Sequence, residues 1–423
     1  MKNTQSWDWV EGKKVPADLA QLRSSYPRVD EYAVSPDGEK IASPVKTAED
    51  DFTVCVNGEP WPERFEICWH VRFSPLGRLI GLVRINDEWT LAVDGKPLEE
   101  RFEYAWNPIF SGNGEAVAFA YKRDNLYGVA VEGKTWEKGF PAMRDFCLSH
   151  DGKSAAATVQ VESLGEADVF KFFEGVWSVA VDGAAWEKRF VNAWNPAFDS
   201  DGKGVAAEIR TDICDYSIAV GGTPWPAVFG GVWAPIFHPT EGSVVAPARL
   251  DGGWVLQKDG RPLWGRKYNQ MWHQRFSPDG ARIAAVVSAD FGEWTVAVDD
   301  KPWGRNFSEM VLAPVFSPDG SRVAAAVKHD GAWTIAVDGV PAEGFYDMVW
   351  DPVFSPDGAH VLAKAESGGK YVILADGKKI GGSYDMLWGP TFSPDGGRVL
   401  LRYVEGDKYC RQVVKAGELL RGA

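Results

Sequence analysis

The chain is poor in the residues that carry most site chemistry. Its 423 residues include five cysteines and six histidines. Cys55, Cys68, Cys147, Cys214 and Cys410 form no CxxC, no CxxCH and no paired spacing. A haem-attachment motif, a cysteine-ligated cluster and a disulfide framework are thereby excluded, and the cysteines read as reduced, small hydrophobes. His70, His150, His238, His273, His329 and His360 follow no metal-ligand spacing. There is no HExxH, no GxSxG and no phosphate-binding loop. Carboxylates abound, but no pair is distinguished from the rest. The expectation is a non-catalytic chain with no cofactor and no metal of its own.

Positive charge and long apolar runs are missing too. The net charge is −14, which argues against nucleic acid as the main partner, because phosphate binding needs clustered Lys and Arg. No run approaches the ~18 apolar residues of a membrane span. The opening stretch, residues 1–20, has no apolar core and no cleavage site, so the expected location is cytoplasmic, peripheral to a membrane at most.

What is present is a repeat, and internal repeats override a domain count taken from length. The phrase FSPDG stands at 276–280, 316–320, 354–358 and 392–396, with looser versions ending at Gly38, Gly77, Gly114, Gly152, Gly202 and Gly242. That makes ten units, spaced 37 to 40 residues apart except for one gap of 50 between Gly152 and Gly202. The long gap holds an insertion at about 161–175. Ser-Pro-Asp-Gly suits a type I turn. A run of valine and alanine follows it, then a phrase such as WTIAVD (333–338). Next comes Asp-Gly or Asn-Gly, the strongest short hairpin signal. A fourth strand such as KPWGRNF (301–307) ends the unit.

Strands that are apolar or small on both faces must be covered on both faces. Four-stranded units of ~40 residues, each needing two neighbours, describe the blades of a β-propeller. The predicted fold is therefore all-β: about ten four-stranded blades, in one ring rather than two rings of five. Residues 1–29 form an N-terminal segment whose stretch 6–15 is placed to add an outer strand to the last blade. Residues 30–423 form the propeller.

Twenty tryptophans are the anomaly. Seventeen occupy three register positions. Trp69, Trp106, Trp194, Trp233, Trp272, Trp350 and Trp388 stand four residues before the Phe of the turn phrase, with Leu312 and Arg144 in the same place in two other units. Trp89, Trp177, Trp254, Trp294 and Trp333 stand six before the hairpin glycine position, a slot that Phe52, Tyr127, Tyr216 and Tyr371 fill elsewhere. Trp61, Trp136, Trp186, Trp225 and Trp303 stand three after it. Regular placement fits wedge-filling between blades. It fits equally an exposed aromatic rim for a partner, a sugar ring or a cofactor face. The first set is the candidate partner-binding set, joined by Phe170, Phe172 and Phe173 of the insertion, since loops that depart from a scaffold often carry function. The blade ends near these residues carry acids in their loops, among them Asp50, Asp51, Glu162, Glu166, Asp212 and Asp290. The turn side carries Arg282, Arg322 and Arg398. An acidic face would steer a basic partner.

The phrase FSPDG-x-R-V-A-A followed by WTIAVDG resembles the WD40-like repeats of TolB-type propellers over residues 30–423. A tryptophan-rich chain with such repeats and no signal peptide also resembles the TmcD-type subunit of the transmembrane Tmc redox complex of sulfate-reducing bacteria. That resemblance implies an accessory docking role in electron transfer, with membrane cytochrome b and iron–sulfur subunits as partners and haem and clusters held by those partners. The alternative is a free-standing small-molecule or glycan binder, or a hydrolase, that uses the first tryptophan set.

Overall fold

The computed structural model describes residues 4–49, 51–164 and 168–421. Asp50 and Glu166 lie outside the described residues. The chain is all-β and folds as ten four-stranded blades in a single ring, a ten-bladed β-propeller. By Cα packing it divides into two compact units: residues 1–83, 93–96 and 275–423, and residues 84–92 and 97–274.

A blade is built as its sequence dictates. In blade 8 the turn Ser317-Pro318-Asp319-Gly320 leads into Val323–His329, which pairs antiparallel with Ala332–Val337, which pairs with Val340–Pro341. Ala324, Ala325 and Ala326 are fully buried. With alanines on both faces of the second strand, neighbouring sheets approach closely. The hairpin Asp338 has φ 51°, and its carboxylate accepts from the Val323 amide at 2.9 Å. The same bond joins Asp94 to Leu79, Asp182 to Ala155, Asp259 to Val244 and Asp376 to Val361. Aspartate at this place therefore serves twice. It tolerates positive φ, and it satisfies the first amide of the second strand.

The turn phrase is also a side-chain network. Ser317 Oγ donates to Asp319, whose carboxylate accepts from the Ser321 amide, while the Arg322 amide donates back to Ser317 Oγ. The arginine then reaches into the next blade. Arg322 holds Asp338 through Nε and donates to the carbonyls of Gly358 and Ala359. Arg282 does the same to Asp299, Gly320 and Ser321. Arg282 and Arg322 are thus clamps between consecutive blades, while Arg398 pairs with Asp395 of its own turn and with Glu11.

Two features depart from the sequence expectation. The fourth strand is not continuous. Only Lys301–Pro302 pairs in blade 7, and the chain returns to the sheet at the far end through a Trp294–Phe307 bridge. Seven other blades make the equivalent bridge, as in Trp89 to Phe102 and Trp333 to Tyr346. Proline at the second position of this strand, having no amide to donate, suits the break in six of these blades, while Thr135 and Ala185 stand there in the other two. The first strand is also irregular. Its register shifts just after the tryptophan, between Trp106 and Ile109 and between Trp194 and Ala197. His70, Asn107, Asn195 and His273 occupy that bulge with φ between 46° and 54°.

Blade 10 takes its outer strand from the start of the chain. Gly12–Asp18 pairs antiparallel with Lys408–Lys415. Buried cations tie this blade to blade 1. Arg402 donates to the carbonyls of Ser35, Pro36 and Gly389, Arg411 to that of Asp37, and the Tyr409 hydroxyl to that of Gly38.

Candidate functional site

The three tryptophan sets differ in exposure without a clean division: Trp186 and Trp303 of the third set and Trp294 of the second are half-buried, and only the first set holds exposed members. The third set packs between blades. Trp61, Trp136 and Trp225 are buried, and each covers the hairpin glycine of the blade that follows it: Trp61 lies against Gly95, Trp136 against Gly183, Trp225 against Gly260. Trp89, Trp177, Trp254 and Trp333 of the second set are buried as well. The first set is not. Trp69 is 38% exposed and Trp233 is 44% exposed, while Trp106, Trp194, Trp272, Trp350 and Trp388 are half-buried.

Within a blade, the first-strand tryptophan leans on the aromatic residue that opens the third strand. Trp233 stacks on Trp254 with centroids 5.2 Å apart and planes 10° apart. Trp106 meets Tyr127, Trp194 meets Tyr216, Trp350 meets Tyr371 and Trp388 meets Tyr409, all within 5.8–6.4 Å. Blade 4 lacks the first tryptophan, and its Arg144 takes over the contact, 4.1 Å above Trp177. The third-strand ring is buried in the Trp254 and Tyr409 pairs and half-buried in those of Tyr127, Tyr216 and Tyr371. Such pairs contribute ~0.5–1.5 kcal/mol beyond area burial.

In the insertion, Val169–Glu174 forms one short helix, capped by the Asp168 carboxylate at the Lys171 amide. Glu162 receives both Lys171 and Arg189 at 2.6 Å. Phe170 is 85% exposed, Phe173 is exposed and Phe172 half-buried, with Phe172 and Phe173 edge to face at 5.5 Å. Several loop acids have structural work. Asp51 accepts from Thr47, Glu293 from Asn306 and Asp407 from Arg23.

The repeat register also exposes residues that the tryptophan pattern hides. Ten positions after the Phe of the turn phrase stand Pro44, Val83, Ala120, Thr158, Pro247, Val286 and Ala326, small or apolar, and then three charges: Glu208, Lys364 and Arg402. This place lies on the second strand beside the first-strand tryptophan, as Trp194 opposite Glu208 and Trp388 opposite Arg402 show. Arg402 is the interblade clamp described above. Glu208 is buried, accepts from Asn195 Nδ2 at 2.7 Å, and is pushed up to about 7 by burial, against the Asn195 bond and with help from the nearby Asp145.

Lys364 is different. Its Nζ lies 4.1 Å from the Trp350 ring centre and 4.2 Å from that of Tyr371. Burial pushes its ammonium below the ordinary lysine range, while Glu366 acts in the opposite sense. The two ring faces attract the cation and so work against that loss. Lys364 lines an open cleft of about 980 Å³ together with Trp350, Tyr371, Trp388, Asp351 and Glu31. Nothing in the tryptophan spacing pointed to Lys364. Comparing the ten repeats column by column would have done so.

Among the described residues no group of three or more His, Cys, Asp or Glu side chains is placed to hold a metal ion, and no helix is long and apolar enough to cross a membrane. No protein-family profile matches the chain, and no curated protein matches it in sequence. Among solved structures, it is similar to a eukaryotic initiation factor (13% identity, TM-score 0.46, covering 78% of this chain and 90% of that one). It is also similar to the Dos1 propeller (10%, 0.37, 73% and 93%) and to TolB from Acinetobacter baumannii (14%, 0.28, 61% and 60%). At these TM-scores the likenesses carry no argument about function, and the propeller assignment rests on the strand pairing.

Proposed function

We propose that the chain is a non-catalytic docking propeller that engages a protein partner through the first-strand tryptophans. The observation behind this reading is that the two exposed tryptophans among the described residues, Trp69 and Trp233, both belong to the first-strand set, whose other members are half-buried. Half-exposed aromatics with a packed base are what interface anchors need: large area, little rotamer freedom to lose, and an open face. The acids of the neighbouring loops favour a partner with a basic contact surface. The tryptophan-rich resemblance supplies the destination, a membrane-associated electron-transfer assembly on the cytoplasmic side, whose haem and iron–sulfur subunits carry the cofactors.

The test is isolation of the tagged protein from its own cells in mild detergent, with subunit identification and a visible absorption spectrum. Co-purified cytochrome b and iron–sulfur subunits with haem bands are expected, and the Trp69→Ser/Trp233→Ser variant should lose them while still melting cooperatively, slightly below the native chain because the Trp233–Trp254 stack is gone. A clean, colourless protein would overturn the reading.

A further inference from the structure

We infer that the cleft around Lys364 binds a small zwitterion with an apolar body, the chemistry of a free amino acid or short peptide. Lys364 receives the acid group, Asp351 and Glu31 receive the amino group, and the faces of Trp350, Tyr371 and Trp388 hold the body.

Three observations converge on this assignment. The first is the odd charge. A lysine at a register place otherwise small or apolar in seven blades brings a desolvation cost that must be offset. Arg402 offsets it with three carbonyl acceptors, and Glu208 with an amide donor. Half-buried Lys364 has no side-chain hydrogen bond or ion pair among the described residues, only two ring faces and the Coulomb attraction of Glu366. Rings attract the charge but do not take up the three N–H donors of an ammonium, so its donors are left for a guest.

The second is a pair of acids in the cleft lining, whose two other charges, Arg23 and Asp30, are already paired with Asp407 and Arg28. Glu31 and Asp351 are exposed at the cleft and make no hydrogen bond or ion pair among the described residues. A purely anionic guest would meet these carboxylates unfavourably, and a purely cationic one would meet Lys364. A guest carrying both signs satisfies both. The third is the form of the cleft. Its volume of about 980 Å³ lies in the range of small-ligand sites, which combine aromatic walls with a few convergent polar groups.

The inference does not rest on the docking reading, and its test uses the purified chain without a partner. Four probes share one phenyl group: L-phenylalanine, glycyl-phenylalanine, 3-phenylpropionate and 2-phenylethylamine. Binding to the full chain is measured at pH 7 by calorimetry and by quenching of tryptophan fluorescence. At least one of the two zwitterions is expected to bind, at least tenfold tighter than either single-charge analogue, and which of them binds separates amino acid from peptide. Lys364→Met should weaken the zwitterion about tenfold and tighten 2-phenylethylamine, which no longer meets a like charge. Asp351→Asn should weaken the zwitterion and tighten 3-phenylpropionate, which meets one carboxylate fewer. Equal binding of 3-phenylpropionate or 2-phenylethylamine and the zwitterions by the native chain, or no saturable binding of either zwitterion, would overturn the assignment without reference to any variant.

Discussion

A Cβ placed on Gly339 would lie 2.9 Å from the Cβ of Trp303. The two residues belong to consecutive blades, and the hairpin glycine of one is the floor on which the tryptophan of the other rests. Gly339 also has φ +81°, and so does Gly331 at +82°, but nothing lies within 4 Å of a Cβ on Gly331. The pair separates backbone strain from steric contact. Gly331→Ala should cost ~1–2 kcal/mol from the left-handed backbone alone. Gly339→Ala should cost the same plus ~1–3 kcal/mol of overpacking. Urea denaturation of both variants measures the difference. Equal losses would show that the tryptophan yields freely and that the interblade contact is soft.

Arg402 closes blade 10 against blade 1 with bonds to the carbonyls of Ser35 and Pro36 at 3.2 Å each and to Gly389 at 2.7 Å. The guanidinium is buried, and burial pushes its pKa below the usual range. It stays charged all the same, because arginine does not deprotonate in proteins. Replacing it by methionine fills similar space and takes a donor from three carbonyls, of which that of Ser35 keeps the Gly38 amide. Hydrogen bonds to a charged group contribute ~1.5–3 kcal/mol each, partly offset by the desolvation no longer incurred, so a net loss of ~2–4 kcal/mol is expected. Arg322→Met, whose side chain is more exposed at 37%, should lose less. If the two variants melt alike, closure of the last blade carries no special weight.

The repeat made most of the fold legible. Ser-Pro-Asp-Gly, the valine and alanine run and Asp-Gly each have one good local structure, and ten copies of the same order leave little choice of topology. The pieces that resisted are those where one residue serves two ends. Phe307 reads as part of the strand KPWGRNF, yet it joins the sheet at the end opposite Lys301. Asn107 and Asn195 read as ordinary strand residues, and only the backbone shows them at positive φ in a bulge. Tryptophan spacing identified the aromatic positions but could not separate buried Trp254 from half-exposed Trp233, because both repeat. Lys364 was hidden for the opposite reason. It occurs once, and only its departure from the column around it marks it.

Glu208 gives a pH signature to blade 5. Its unfolded carboxyl ionises from about 4.5, whereas the folded one holds its proton up to about 7. Between those values the unfolded state binds fewer protons, so the native protein loses stability as pH rises through the window. Two and a half units correspond to ~3 kcal/mol at most. Glu208→Gln keeps an acceptor for Asn195 and has no proton to lose. It should match the native chain near pH 4.5 and exceed it by ~2 kcal/mol at pH 8. Urea titrations at the two pH values settle the point, and parallel profiles for both proteins would show that Glu208 ionises freely in the fold.

The aspartates of the turn phrase act in the opposite direction. The Ser317 hydroxyl and the Ser321 side chain and amide hold Asp319 down at about 2, and Asp151 is held down to about 2 by Ser149 and Lys153. A carboxylate whose folded pKa is depressed stabilises above its unfolded value of 3.8, and that stabilisation fades as pH falls through the folded value. Both groups are open to solvent, so each acts weakly, but the turn recurs along the chain. Blade 3 supplies a natural control. There Asn113 accepts from Ser111 and from the Glu115 amide through the same oxygen position, so the turn forms without a charge. Asp319→Asn should therefore fold normally, melt slightly below the native chain at pH 7, and converge with it as pH drops from 4 to 2. Thermal melts across that range test the sign. A gap that widens on acidification would mean that the charge of Asp319 opposes the turn rather than supporting it.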